Sequence, residues 1–533
     1  MTRSLIVGSG PAAAGAAIAL SQDCSEQVTV LDVGNQLEPD QRTIVERMSL
    51  GLPEDWHPLD VDAIQVQPSP VGAKGLPQKR SYGSDYPFQD VGQLHGVTGV
   101  DHVNRFIVSG AYGGLSNVWG SQVMPFTSAA FSQWPVDSTV MEGHYRAILS
   151  EIPFAAEEDA LAPRFPLIGE SADLPPLAPR TTAILSAFDR HRTALERIGV
   201  TVGRARLAFS AGPCVRCGLC MTGCPYSLIY SSAHTFDRLR TSERVDYHDG
   251  LLVIEVGQTG DVPYVIARDM RTGSHHTFES DRIYLALGAV GTTRLVLSSL
   301  KVFHQDVELS ESAQFLAPMI STRPTNDPRD DETFTLNQFN MVVSLDDDWL
   351  NVSQIHFYPY NPAVADALPA ALRTRLGGPI AGQLLRRITI GLGYLPSWES
   401  PTMHLRVVPP SGGGDLPGIV VSGDERTAAG NWMLRRVARR MLRAAPKLDL
   451  WPLLPMASLS APGQSYHFGG SFPHRTSPTD GPLTTDRYGR LRVWSRVHMI
   501  DASVFPTVPA TTFTLTLMAN AHRIATESMG TLK

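Results

Sequence analysis

The feature that most constrains this chain lies at its N-terminus. Ser4 to Val7 reads as a short buried strand, followed by the turn Gly8-Ser9-Gly10-Pro11-Ala12-Ala13 and an alanine-rich helix to about Leu20. Val28 to Leu31 reads as the next strand and ends at Asp32. Strand, glycine turn, helix, strand and then an acid about 20 residues on is the βαβ fingerprint of dinucleotide binding. Glycines let the backbone approach a pyrophosphate, and the helix start offers it free N–H groups. Asp32 is placed to accept hydrogen bonds from ribose hydroxyls. The plain alternative is a core helix after a tight turn.

Four of the five cysteines fall within eleven residues: Cys214, Cys217, Cys220 and Cys224, the last followed by Pro225. The spacing Cys-x2-Cys-x2-Cys-x3-Cys-Pro is that of bacterial ferredoxins. Only one such run exists, so either all four thiolates hold one 4Fe–4S cluster or three hold a 3Fe–4S cluster. Zinc, which suits four thiolates, and vestigial thiols remain alternatives. Gly212, Pro213, Gly218 and Gly223 let the backbone curl so that its N–H groups face sulfur. Cys24, on the first helix, reads as a small buried hydrophobe. Clustered rather than dispersed cysteines fit a reducing compartment, and the expected location is the cytoplasm.

A chain of 533 residues is too long for one core. Its net charge of −7 argues against nucleic acid or an anionic membrane as the main partner. No apolar run approaches the roughly 18–20 residues that span a bilayer, so no integral membrane segment is expected. Leu5 to Leu20 is apolar, but its glycines and Pro11 do not suit a signal peptide. Between 305 and 460, strand-like runs at Thr333–Leu345, Val352–Tyr358, Arg387–Tyr394 and Thr402–Val408 surround one helix near Ala428–Ala445, an antiparallel sheet with a helix laid on it. The arginines of that helix (435, 436, 439, 440 and 443) read as a solvated face or as a dock for an acidic partner.

These pieces resemble the glucose–methanol–choline (GMC) oxidoreductases, which use FAD. Gly8 to Gly15 with Asp32 is similar to their ADP-binding element. Gly113-Gly114-Leu115-Ser116-Asn117-Val118-Trp119-Gly120 is similar to their second flavin loop, followed by Trp134-Pro135. Ala286-Leu287-Gly288-Ala289 with Arg294-Leu295 resembles their strand–helix junction near the pyrophosphate, and Val253 takes the place of an adenine-contacting valine. Tyr466-His467-Phe468-Gly469-Gly470-Ser471 and Asp501-Ala502-Ser503-Val504-Phe505-Pro506 resemble the catalytic-histidine block and the block that closes on the flavin.

The resemblance implies an α/β fold: a Rossmann-like FAD-binding domain, an antiparallel-sheet α+β substrate domain, and an inserted iron–sulfur cysteine loop. The FAD-binding parts would be 1–130 and 236–304, the excursion 131–205, the cysteine loop 206–235, the substrate domain 305–460 and the catalytic C-terminal part 461–533. It also implies oxidation of an alcohol group of a sugar, polyol or related secondary alcohol. His467 would be the base, flavin the hydride acceptor, and the cluster a relay to an acceptor protein or quinone. The bacterial sugar dehydrogenases that pair FAD with a cysteine-bound cluster are the nearest comparison, and a partner subunit can export those. One departure stands out. Where the family carries a second catalytic His or Asn followed by Pro, this chain has Thr512-Phe513, and a hydroxyl is no proton acceptor of comparable strength. Thr512 and Phe513 are nonetheless expected at the flavin, with Thr512 beside His467. Tyr466, Ser503 and Thr511 are candidate supports, while His474 and His498 are expected to be structural. Two other readings stay open: a biosynthetic reductase run in the opposite direction, and a lyase using FAD as scaffold.

Overall fold

The computed structural model describes residues 1–65, 80–89, 94, 96–101, 103, 108–361, 378–410, 416–424, 428–454, 457–476 and 481–530. Much of the Gly- and Pro-rich stretch after residue 65 lies outside the described residues.

A five-stranded parallel sheet holds the N-terminal fingerprint. Its order is Val497–Met499, Arg282–Leu285, Thr2–Val7, Glu26–Leu31, Val245–His248. Arg282–Leu285 is buried throughout, as expected of a parallel strand covered on both faces. The first helix runs Pro11–Ser21, with nine of its residues buried. It packs on the last helix, Thr514–Met529, so closely that a Cβ at Gly15 would stand 2.3 Å from the Met518 carbonyl oxygen. Below the sheet, Arg282 and Glu26 form a buried ion pair, and the Ser4 hydroxyl donates to Glu26 at 2.6 Å.

The run from 305 to 460 divides between two sheets, where one was expected. A seven-stranded antiparallel sheet contains Gln314–Ile320, Ile388–Tyr394, Val352–Tyr358 and Phe339–Ser344, with Val200–Arg204 at its edge. Asp306–Glu311, Met403–Val408 and Gly418–Gly423 belong to a second sheet with Phe468–Gly469 and Val97–Asp101. The separation follows patterning. Asp306–Glu311 and Met403–Val408 alternate buried with more exposed residues, whereas Phe339–Ser344 is buried along its length. The strand expected from Thr333 starts only at Phe339, because residues 333–338 satisfy their polar groups elsewhere: the Thr333 hydroxyl donates to Pro176 and that of Thr335 to Gly218.

The long helix spans Ala428–Leu448 and buries Met433, Val437 and Met441 against the seven-stranded sheet, together with Ile184 and Phe188 of helix Pro179–Glu196. Ile355 and Phe357 of strand Val352–Tyr358 join that core. By strand alternation Gln354, His356 and Tyr358 face the other way. Among the described residues, no helix is long and apolar enough to cross a membrane.

Candidate functional site

A cavity of about 430 Å³ lies between the parallel sheet and the seven-stranded sheet. Its walls include Gly8, Gly10, Pro11, Ala12, Asp32, Gly114, Ser116, Trp119, Val253, Ala286, Gly288, His467, Asp501, Ala502 and Phe513. Ala13, Gly113, Asn117 and Thr512 do not line it. Ala13 is buried in the helix core. Gly113 and Asn117 belong to the second glycine loop, which the Asn117 amide braces from within by donating to the carbonyls of Tyr112 and Gly114, both at 2.9 Å.

The two glycine loops meet tightly. Gly8 has φ +102°, and a Cβ there would stand 2.7 Å from the Ala286 carbonyl oxygen; one at Gly114 would stand 3.1 Å from the Gly10 Cα. Glycine at these positions, both with positive φ, lets the backbone segments approach this closely. The Ser9 hydroxyl donates to Asp32 and accepts the Gly113 N–H at 2.9 Å, so the serine joins loop to loop and ties both to the acid. The Tyr247 hydroxyl donates to the same carboxyl at 2.9 Å. Burial raises the Asp32 pKa to about 6 despite these donors. Asp501 is also buried; it accepts from the Thr292 hydroxyl and from the Ser503 N–H at 2.9 Å, and burial again raises its pKa.

The His467 ring stacks on Tyr394 with centroids 4.7 Å apart and meets the edge of Phe513 at 5.0 Å. Among the described residues its Nδ1 is buried without a hydrogen-bond partner, and so are His356 Nε2 and Thr512 Oγ1. A buried polar atom without a partner is costly, and of these three residues His467 belongs to the cavity wall, where a ligand can meet it. Burial pulls the His467 pKa down to about 4 and, with His467 nearby, that of His356 to about 3. Burial thus favours the neutral form of both rings.

Sequence reasoning missed His356, Tyr394, Gln314 and Glu311. The His356 and Tyr394 rings are 5.2 Å apart, and the Gln314 amide donates to the Tyr394 hydroxyl at 3.3 Å. Glu311 is buried and accepts the Gly463 N–H at 2.8 Å, the Ser465 N–H at 3.1 Å and the Ser465 hydroxyl at 2.6 Å. The Ser465 oxygen in turn accepts the His467 N–H at 3.0 Å. A carboxylate on one strand thus fixes the turn that presents the histidine. His474 and His498 bond to main-chain carbonyls, of Asp486 at 2.7 Å and Tyr488 at 2.8 Å.

The cysteine loop forms part of the same cavity wall through Gly218, Leu219, Met221 and Thr222. It is also bound to the second glycine loop. Ser116 lies 2.8 Å from the Ser232 hydroxyl, and the Trp119 indole donates to the Tyr230 carbonyl at 2.7 Å, a few residues past Cys224. Cys220 and Cys224 are buried; Cys214 and Cys217 are partly exposed. Main-chain N–H groups of Arg216, Leu219 and Tyr226 with Leu228 face the sulfurs of Cys214, Cys217 and Cys224, and the Thr335 N–H donates to Cys220 Sγ at 3.4 Å. Positive φ at Gly218 and Gly223, as the glycine pattern requires, curls the loop. Burial chiefly, and the neighbouring sulfurs, raise the Cys217 thiol to about 12 and Cys224 to about 11, so both are protonated unless a cation lies among them. Among the described residues, no three or more His, Cys, Asp or Glu side chains are grouped as ligands of one metal ion. Cys24 is exposed rather than buried, because it falls in the turn after the helix, which ends at Ser21.

No protein-family model matches the chain, and no curated protein matches it. Solved structures do. Pyridoxine 4-oxidase from Mesorbium loti superposes with a TM-score of 0.61 at 13% identity, covering 99% of each chain. Formate oxidase from Aspergillus oryzae, solved in a study of FAD modification, gives 0.61 at 11% identity, covering 100% of this chain and 99% of its own. At such identities the likeness concerns the fold. What is shared is a mixed fold of parallel and antiparallel sheets.

Proposed function

We propose that this chain is an FAD-dependent oxidoreductase of the GMC type. It would oxidise an alcohol group of a sugar, polyol or related secondary alcohol; Cys214, Cys217, Cys220 and Cys224 would hold an iron–sulfur cluster, which would supply one-electron transfer toward an external acceptor. One observation carries the reading: a single cavity is walled by the dinucleotide fingerprint, by the buried His467 and by the cysteine loop. The FAD chemistry of one fold relative adds to it.

FAD, held by the two glycine loops, Asp32 and Asp501, supplies the hydride acceptor when bound. The chain supplies the rest. Asp32 accepts from ribose hydroxyls. His467, neutral because it is buried, takes the substrate hydroxyl proton. The Tyr394 ring, itself held by Gln314, keeps the imidazole in plane, and the Glu311–Ser465 clamp sets its height. His356, buried beside His467, is likewise kept neutral by burial. The N–H groups around the four sulfurs suit thiolates bound to iron, since such donors tune a cluster's potential.

The test is anaerobic isolation with analysis for flavin, iron, acid-labile sulfide and zinc, followed by a dye-linked screen of sugars, polyols and sterols. Flavin with iron and sulfide, and dye reduction by one alcohol class, are expected. Zinc in place of iron removes the relay. Absence of flavin removes the whole reading.

A further inference from the structure

Two hydroxyls from distant segments meet on a single carboxylate oxygen. Ser9, in the first glycine loop, and Tyr247, in strand Val245–His248, both donate to Oδ2 of Asp32, the tyrosine at 2.9 Å. Among the described residues no side chain donates to Oδ1, and Asp32 belongs to the cavity wall. The acid is held by one oxygen and keeps the lone pairs of the other for a ligand.

Packing fixes the tyrosine. Tyr247 pairs with Val30 across the parallel sheet, which sets it beside the strand that ends at Asp32. Its ring meets the edge of Tyr112 at 5.0 Å, tilts on Phe236 at 6.3 Å and carries the Arg240 guanidinium over its face at 5.1 Å. At Gly34, with φ +69°, a Cβ would stand 2.7 Å from the Tyr247 hydroxyl oxygen, so the chain after Asp32 passes directly against it. Burial, with the Asp32 carboxyl beside it, raises the Tyr247 pKa, and the hydroxyl keeps the proton it donates. The other charge facing Asp32 is Asp249, which opposes its ionisation and is itself paired with Arg271 at 2.8 Å.

We propose that Tyr247 is a positioning residue for the nucleotide: its hydroxyl holds the Asp32 carboxylate by Oδ2, so that Oδ1 is the atom that accepts a ribose hydroxyl. The proposal rests on the reading of the cavity as an FAD site. A packing role would need only the ring. Positioning needs the hydroxyl, which Tyr247→Phe removes while the ring stays.

The experiment starts from the holoenzyme. Dilution at a series of pH values releases FAD, whose recovered fluorescence gives its dissociation constant, and ADP and 2′-deoxy-ADP are added as competitors. Loss of a donor to a charged acceptor should raise the carboxyl's midpoint by about one pH unit in Tyr247→Phe. The ionised fraction at about pH 6 then falls from about one half to about one tenth, so FAD binding there should weaken about fivefold beyond any change at about pH 8.5. At about pH 8.5 ADP should compete about tenfold better than 2′-deoxy-ADP in the wild type, and the variant should lose most of that advantage. The urea midpoint should not move. Tyr112→Phe, which takes a 2.8 Å bond to Asp237 from the same aromatic group, should leave the pH profile in place. An unchanged profile with the ADP preference intact, or an equal loss at every pH with a lower urea midpoint, overturns the positioning role and leaves the FAD reading standing. Holoenzyme that yields no FAD on denaturation removes that reading itself.

Discussion

Replacing His467 by leucine separates a catalytic histidine from a packing one. The native ring is buried with Nδ1 unpartnered among the described residues, a cost of about 1–3 kcal/mol that leucine removes. Leucine forfeits the stacking on Tyr394 and the edge contact with Phe513, worth about 0.5–1.5 kcal/mol each. These terms largely cancel, so His467→Leu should change unfolding free energy by no more than about 2 kcal/mol. Loss of a positioned base should lower kcat/KM by about 10²- to 10⁴-fold, which is about 2.7–5.4 kcal/mol of transition-state stabilisation. Burial holds the imidazole near pKa 4, so the wild-type acid limb should lie well below the ordinary histidine range, and the variant should lose it. Urea unfolding gives the first quantity; anaerobic bleaching of the flavin across pH gives the other two. A loss under tenfold, or an unchanged pH limb, would refute the assignment of His467 as base. A fall of several kcal/mol in stability would make the residue structural.

Asp32, raised by burial to about 6, takes up its proton more readily folded than unfolded, so this group's contribution to apoprotein stability should decline as pH climbs from about 4 to about 6. The ionised acid is the better acceptor for a ribose diol, so FAD affinity should weaken as pH falls below about 6, and Asp32→Asn should flatten that dependence in a flavin-fluorescence titration. Glu311→Gln puts an amide where three donors converge and should cost about 1–3 kcal/mol in urea unfolding, with a drop in kcat beyond the change in KM because the His467 turn shifts. If stability and both kinetic parameters stay put, the clamp has no role. Cys220→Ser, which exchanges the sulfur that Thr335 meets, should lose iron yet keep flavin, read by metal analysis against absorbance.

The N-terminal fingerprint was legible because its pattern is local. Strand, glycine turn, helix, strand and Asp32 follow one another within 32 residues, and the two strands pair in parallel across the helix. The strands Val352–Tyr358 and Met403–Val408 were legible from residue type, but not the sheet each joins, since pairing partners lie far apart in sequence. His356 shows the same limit. Gln354, His356 and Tyr358 alternate with the apolar Ile355 and Phe357, which marks a polar face; only the folded sheet shows that this face turns toward His467. Glu311 gave no signal at all, because its partners Gly463 and Ser465 come from a loop some 150 residues later. The cysteine run was visible from spacing. Its position against the glycine loops was not, since that depends on contacts such as Trp119 with Tyr230.

Anaerobic reduction of the holoenzyme by a competent alcohol, with flavin absorbance and low-temperature EPR recorded on the same sample, tests the account most directly. The account predicts that the yellow band bleaches and that the EPR signature of the cysteine-bound centre changes within the same turnover. A bleached flavin beside a centre whose spectrum never changes would contradict it.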